Sequence, residues 1–113
     1  MKIKLLILIL TSKLLASSYG ELLFNGNCVT CHSTNELNKS APTIIEIQNT
    51  YKNAFPNKKD FIHYMSTWVL NPKEETSLMD SSIKKYKLMP MLGYDIETLE
   101  EISSYLYELS EKK

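Results

Sequence analysis

Arginine is missing altogether: all 13 basic residues are lysines, balanced by 13 aspartates and glutamates. Bidentate recognition of phosphates and base edges relies on the planar guanidinium fork, so nucleic-acid binding is not expected. Cysteine is almost as scarce, with Cys28 and Cys31 the two in the chain. Thiols three residues apart cannot staple distant parts of a fold together, so their value is local chemistry. The apolar run from Leu5 to Leu10, with Lys13 soon after it, is far short of the roughly 20 residues a membrane-spanning helix needs. No stable membrane insertion is expected. Strand-like alternation, internal repeats, low-complexity tracts and linker-like segments are also lacking, which points to one helical domain.

What is present begins with MKIKLLILILTSKLLASSYG, where Lys2 and Lys4 precede the apolar run and Ala16, Ser17 and Ser18 follow it. That is the layout of a secretory signal peptide. Residues 1–18 are therefore expected to be a signal peptide and residues 19–113 the mature, exported domain, soluble in the periplasm. The absence of a cysteine near this cut argues against a lipid anchor. Losing Lys2, Lys4 and Lys13 leaves 10 basic residues against 13 acidic ones, a net charge of −3. A mature domain of roughly 95 residues buries only a modest share of its surface, so a large bound apolar group would add core.

Helical spacing recurs along the rest of the chain. Leu22, Leu23 and Phe24 group as the apolar face of a short helix running into Cys28. The polar stretch STNELNKSAP reads as a loop, and a second helix is expected to begin near Pro42 and to carry Ile44, Ile45 and Ile47 toward Tyr51. Asn57 is placed to cap a third helix bearing Phe61, Met65 and Trp68, which Pro72 stops. A fourth is expected over Ser77 to Lys87, with Met79, Ile83 and Tyr86 on one face. Asp95 would cap a last helix striped by Ile96, Leu99, Ile102, Leu106 and Leu109.

Residues 28–32 read CVTCH. On a helical turn, residues three apart share a face, so both sulfurs would point the same way with His32 just behind them. C-x-x-C-H is the signature of c-type haem attachment, and a thiol-disulfide pair or part of a zinc site are the competing chemistries. A redox dithiol belongs at the head of a helix in a strand-helix-strand fold, and no strand is evident. Zinc needs four ligands. His32 is awkwardly close to Cys31 to share an ion with it, and His63, on the helix face of Lys59 and Ser66, is expected to meet solvent. If iron is held, its candidate opposite ligands are Met65, Met79, Met89, Met91 and His63. Met65 and Met79 sit on apolar helix faces, where a thioether is ordinarily packing. Met89 precedes Pro90 in a non-helical segment between two helices, which favours it, with Met91 as the fallback.

Four ordered motifs together resemble small class I cytochromes c: GELLFNGNCVTCH with Gly20, Leu23 and Phe24 in register, Pro42 in SAPTI, the pair Met89-Pro90, and the aromatic closing stretch EISSYLYE. Two departures stand out, Ala41 before Pro42 and Lys87-Leu88 where such chains often carry glycine. The resemblance implies an all-α cytochrome c fold of four to five short helices wrapped around one haem c. That haem would be attached covalently through Cys28 and Cys31, with His32 and Met89 as iron ligands and the Pro42 carbonyl accepting the outer N–H of His32. It implies that the first and last helices cross through Leu23, Phe24, Tyr105 and Leu106. Trp68 would be either a core aromatic or a haem-pocket donor to a propionate, a task also open to Tyr51 and to lysines.

The expected function is that of an electron-transfer protein rather than an enzyme: an exported monohaem carrier meeting periplasmic or membrane-bound redox proteins by transient contact. The alternatives are a haem-containing electron-accepting subunit of a periplasmic oxidoreductase complex and, more remotely, a haem-free zinc or dithiol protein.

Overall fold

The computed structural model describes residues 19–33 and 40–112; the expected signal peptide and most of the polar stretch at 33–42 lie outside these residues. Among the described residues there are helices and no strands. We label the helices α1 (19–27), α2 (Ile44–Ala54), α3 (Lys58–Leu70), α4 (Asp80–Tyr86) and α5 (Ile96–Glu111), with a 3-10 turn at Glu74–Thr76.

Three helices start on side-chain caps. Asn57 accepts from the Asp60 N–H at 3.2 Å and Asp95 from the Thr98 N–H at 2.9 Å, as their positions in the sequence predict. At α2 the expectation is corrected. Pro42 lies ahead of the helix, and Thr43 caps it by accepting from the Glu46 N–H at 3.3 Å, in a T-x-x-E pattern that suits a helix start. The fourth helix is also shorter than expected. Ser77 and Lys87 stay outside it, because the Ser77 hydroxyl accepts the Met79 N–H and Lys87 leaves the helix at φ 75°. Pro72 follows the end of α3, as anticipated.

Helix α5 is the spine. Its Leu99, Ile102 and Leu106 are buried with Phe24, Ile44, Tyr51, Phe61 and Met65, each worth about 1.5–3 kcal/mol of apolar burial. Both α2 and α3 pack on α5. The buried Gln48 amide donates to the Leu106 carbonyl at 3.1 Å, and Tyr107 donates to the Pro56 carbonyl at 3.2 Å. Exposed pairs Lys52–Glu111 and Lys58–Glu108 tie the same helices, a contribution that solvent screens to little. Ser66, expected on the solvent face with His63, is buried and donates to the Ile62 carbonyl; His63 itself is exposed. Of the grouped residues in α1, Phe24 is buried and Leu22 is largely exposed.

Helix α1 meets α5 at Gly20. A Cβ there would sit 2.8 Å from Tyr105 Cβ and 2.9 Å from the Glu101 carbonyl oxygen. One turn on, the rings of Phe24 and Tyr105 pack with centroids 5.8 Å apart, so the helices cross where the sequence motif implies. Because one of the clashing atoms is backbone, Gly20→Ala is expected to destabilise the protein by about 1–3 kcal/mol. Gly26, with nothing within 4 Å of its Cβ position, provides the contrast: Gly26→Ala should be neutral or stabilising by up to about 1 kcal/mol. Chemical denaturation of both variants checks the pair, and equal effects would show that the crossing is not tight.

Candidate functional site

The end of α1 runs into one further helical turn. The Cys28 N–H donates to the Phe24 carbonyl at 2.9 Å, and the N–H groups of Cys31 and His32 donate to the Cys28 carbonyl at 3.2 and 2.8 Å. This turn brings Cys28, Cys31 and His32 to one cleft, which all three line. Neither thiol is in a disulfide; Cys28 is half-buried and Cys31 exposed. Burial, with the neighbouring Cys31 as a smaller cause, pushes the Cys28 thiol up to about 11. A nucleophilic redox cysteine needs the opposite shift.

His32 is held from behind. Its Nδ1 lies 2.9 Å from the Pro42 carbonyl oxygen, and since a carbonyl only accepts, Nδ1 carries the proton and Nε2 keeps its lone pair for a metal. The carbonyl is available because Pro42 precedes the cap of α2 rather than belonging to its first turn. A second bond, Ile44 N–H to the Ser33 carbonyl at 3.0 Å, clamps the two segments together.

The cleft has a volume of about 230 Å³. Much of its wall is the core itself: Phe24, Ile44, Tyr51, Met65, Leu99, Ile102 and Leu106. Burial pushes the Tyr51 hydroxyl up to about 12, keeping it neutral in this wall. Another part comes from Met79 just before α4, from Ile83 and Tyr86 within it, and from Leu88, Met89 and Pro90 after it. Among the methionines raised by the sequence, Met65, Met79 and Met89 line the cleft, whereas Met91 is 66% exposed and does not. His63 is exposed and away from the lining. Trp68 lines the cleft half-buried, and its indole N–H donates to the Lys73 carbonyl at 3.0 Å. That bond uses the donor which the propionate reading of Trp68 requires, and Trp68 is not part of the buried core either.

Some residues escape sequence reasoning. Asn27 lines the cleft beside Cys28, and its amide is oriented by a bond to the Leu23 carbonyl at 2.7 Å. Lys87, at φ 75° and ψ 170°, occupies a backbone region that is essentially glycine-only. The glycine missing before Met89 was the available signal.

The donor set fits a covalently attached haem: two thiols on one turn, an imidazole with its outer nitrogen satisfied, a thioether in the same cleft and a largely apolar wall. It does not fit zinc, since among the described residues no three His, Cys, Asp or Glu side chains gather where they could hold a metal ion. The family model described as Cytochrome c matches residues 17–110. No curated protein and no solved structure matches the chain.

The strain at Lys87 is measurable. Relief of about 1–3 kcal/mol of backbone strain, offset by the roughly 0.5–1 kcal/mol entropic cost of glycine, predicts that Lys87→Gly stabilises the protein by about 1 kcal/mol. Lys87→Ala keeps the strained backbone and should not stabilise it. Thermal unfolding of the two variants separates backbone relief from loss of the lysine charge, and equal shifts would count against strain.

Proposed function

The chain belongs to the cytochrome c family, and from that premise we propose that it is an exported monohaem carrier passing single electrons between periplasmic redox partners. The family binds haem c covalently and works by haem-based electron transfer. When bound, that group supplies an iron that cycles between ferrous and ferric states. Everything else is supplied by the chain.

Cys28 and Cys31, brought to one cleft by a single turn, would hold the group covalently through their two sulfurs. His32 would hold the iron through Nε2, and Pro42 sets the imidazole's orientation and tautomer through Nδ1. Met89, which lines the same cleft, would hold the iron through its sulfur, and a neutral thioether favours the ferrous state relative to a second imidazole. An iron held by both the imidazole and the thioether would offer small molecules no free place to bind, which suits electron transfer over catalysis. The apolar wall formed by Phe24, Ile44, Ile102 and Leu106 would keep water from a group bound in the cleft.

The observation that carries this reading is the convergence of Cys28, Cys31, Pro42-held His32 and Met89 on one cleft. Partners meet the rim of that cleft, near exposed Cys31 and Leu88, over the small area of transient redox encounters. No helix among the described residues is long and apolar enough to cross a membrane.

Protein made in a host with haem-maturation machinery is expected to show a reduced-minus-oxidised spectrum and a pyridine haemochrome of the c type, with the haem retained through acid-acetone extraction. Met89→Ala should abolish the methionine-to-iron charge-transfer band, while Met91→Ala should leave it. A band that survives Met89→Ala would move the assignment to another methionine. Colourless protein with two titratable thiols would overturn the whole reading.

A further inference from the structure

The segment from Lys87 to Asp95 carries Met89 and contains no helix. It starts at the strained Lys87 and turns at Gly93, which has φ 81°. Immediately after Gly93, the Tyr94 hydroxyl donates to the Asn27 Oδ1 at 2.7 Å, across 67 residues of chain. Asn27 can receive it in only one orientation, because its Nδ2 already donates to the Leu23 carbonyl at 2.7 Å. It is also the residue before Cys28. The bond thus joins the Met89 segment directly to the turn that carries the cysteines and His32.

We propose that Tyr94 and Asn27 form a latch that keeps Met89 seated, making both of them positioning residues for the methionine ligand. The inference rests on Met89 being that ligand. Strain at Lys87 pushes the segment toward other conformations, and the latch at the far end opposes it. Its contribution is to the balance between seated and displaced Met89, since neither side chain need touch the iron.

Added imidazole reads that balance in the folded holoprotein, because it can bind the iron only by displacing the methionine. A neutral hydrogen bond of ordinary net strength corresponds to an imidazole affinity raised about fivefold in Tyr94→Phe. Tyr107→Phe, which loses a hydroxyl bond to the Pro56 carbonyl in another part of the fold, should leave that affinity unchanged and so controls for general loosening. In an Asn27→Ala background, Tyr94→Phe should add nothing, as expected when the two act through one shared bond. The latch is overturned if Tyr94→Phe leaves imidazole affinity within experimental error of wild type, if Tyr107→Phe raises it equally, or if the Tyr94 effect persists without Asn27. The charge-transfer band of Met89→Ala, measured in parallel, tells these failures from a wrong ligand: only there would the band survive.

Discussion

The apolar core of this domain is not closed by its own side chains. Among the described residues, every buried apolar core residue except Phe61 also lines the cleft. The interior of the fold and the wall of the cleft are the same surface. For so short a chain this has an energetic consequence, because small domains bury a low fraction of their area, and a large apolar ring held covalently supplies contacts that the protein alone does not. Haem c is thereby a structural element as well as the redox centre, and ligation and folding are thermodynamically linked.

That arrangement requires α1 to come very close to α5. If a side chain larger than hydrogen stood at position 20, the backbone of Glu101 would be in the way, and the turn bearing Cys28 would be displaced from the cleft. Gly20 therefore acts on the site from two turns away. Phe24, one turn further on, is buried against Tyr105 and simultaneously accepts the Cys28 N–H through its carbonyl. Packing and thiol placement are set by a single short helix.

Much of this was readable from local pattern. The caps at Asn57 and Asp95, the stripe of Leu99, Ile102 and Leu106, and the common face of Cys28 and Cys31 all follow from spacings of three or four residues, which a helix converts directly into geometry. The misreadings have a common cause, competition between local signals. Pro42 is as acceptable just before a helix as in its first turn, and Thr43 with Glu46 decided the matter. Ser77 looked like the start of α4, but its hydroxyl takes the Met79 N–H and delays it. Contacts between distant segments left no local trace: nothing near Asn27 announces Tyr94, and nothing near Trp68 announced that the Lys73 carbonyl would take its indole N–H. Lys87 is different again, a position whose backbone favours glycine but whose sequence carries a lysine.

The two sides of the proposed iron site are consequently built to different standards. On the histidine side, the hydrogen bonds link residues four to eleven apart: Cys28 to His32, His32 to Pro42, Ser33 to Ile44. Such short loops cost little entropy to close, and each bond reinforces the next. On the methionine side, the segment leaves α4 through a strained residue, runs without helical bonds, exposes Leu88, Met91 and Leu92 to solvent, and is tied back by a hydroxyl and an amide that lie far apart in sequence. Regions with few buried contacts and exposed backbone open at lower free energy than the rest of a fold. In the proposed site the imidazole would then be the fixed ligand and the thioether the replaceable one, and redox properties that depend on the sulfur would be governed by how well this one segment is held.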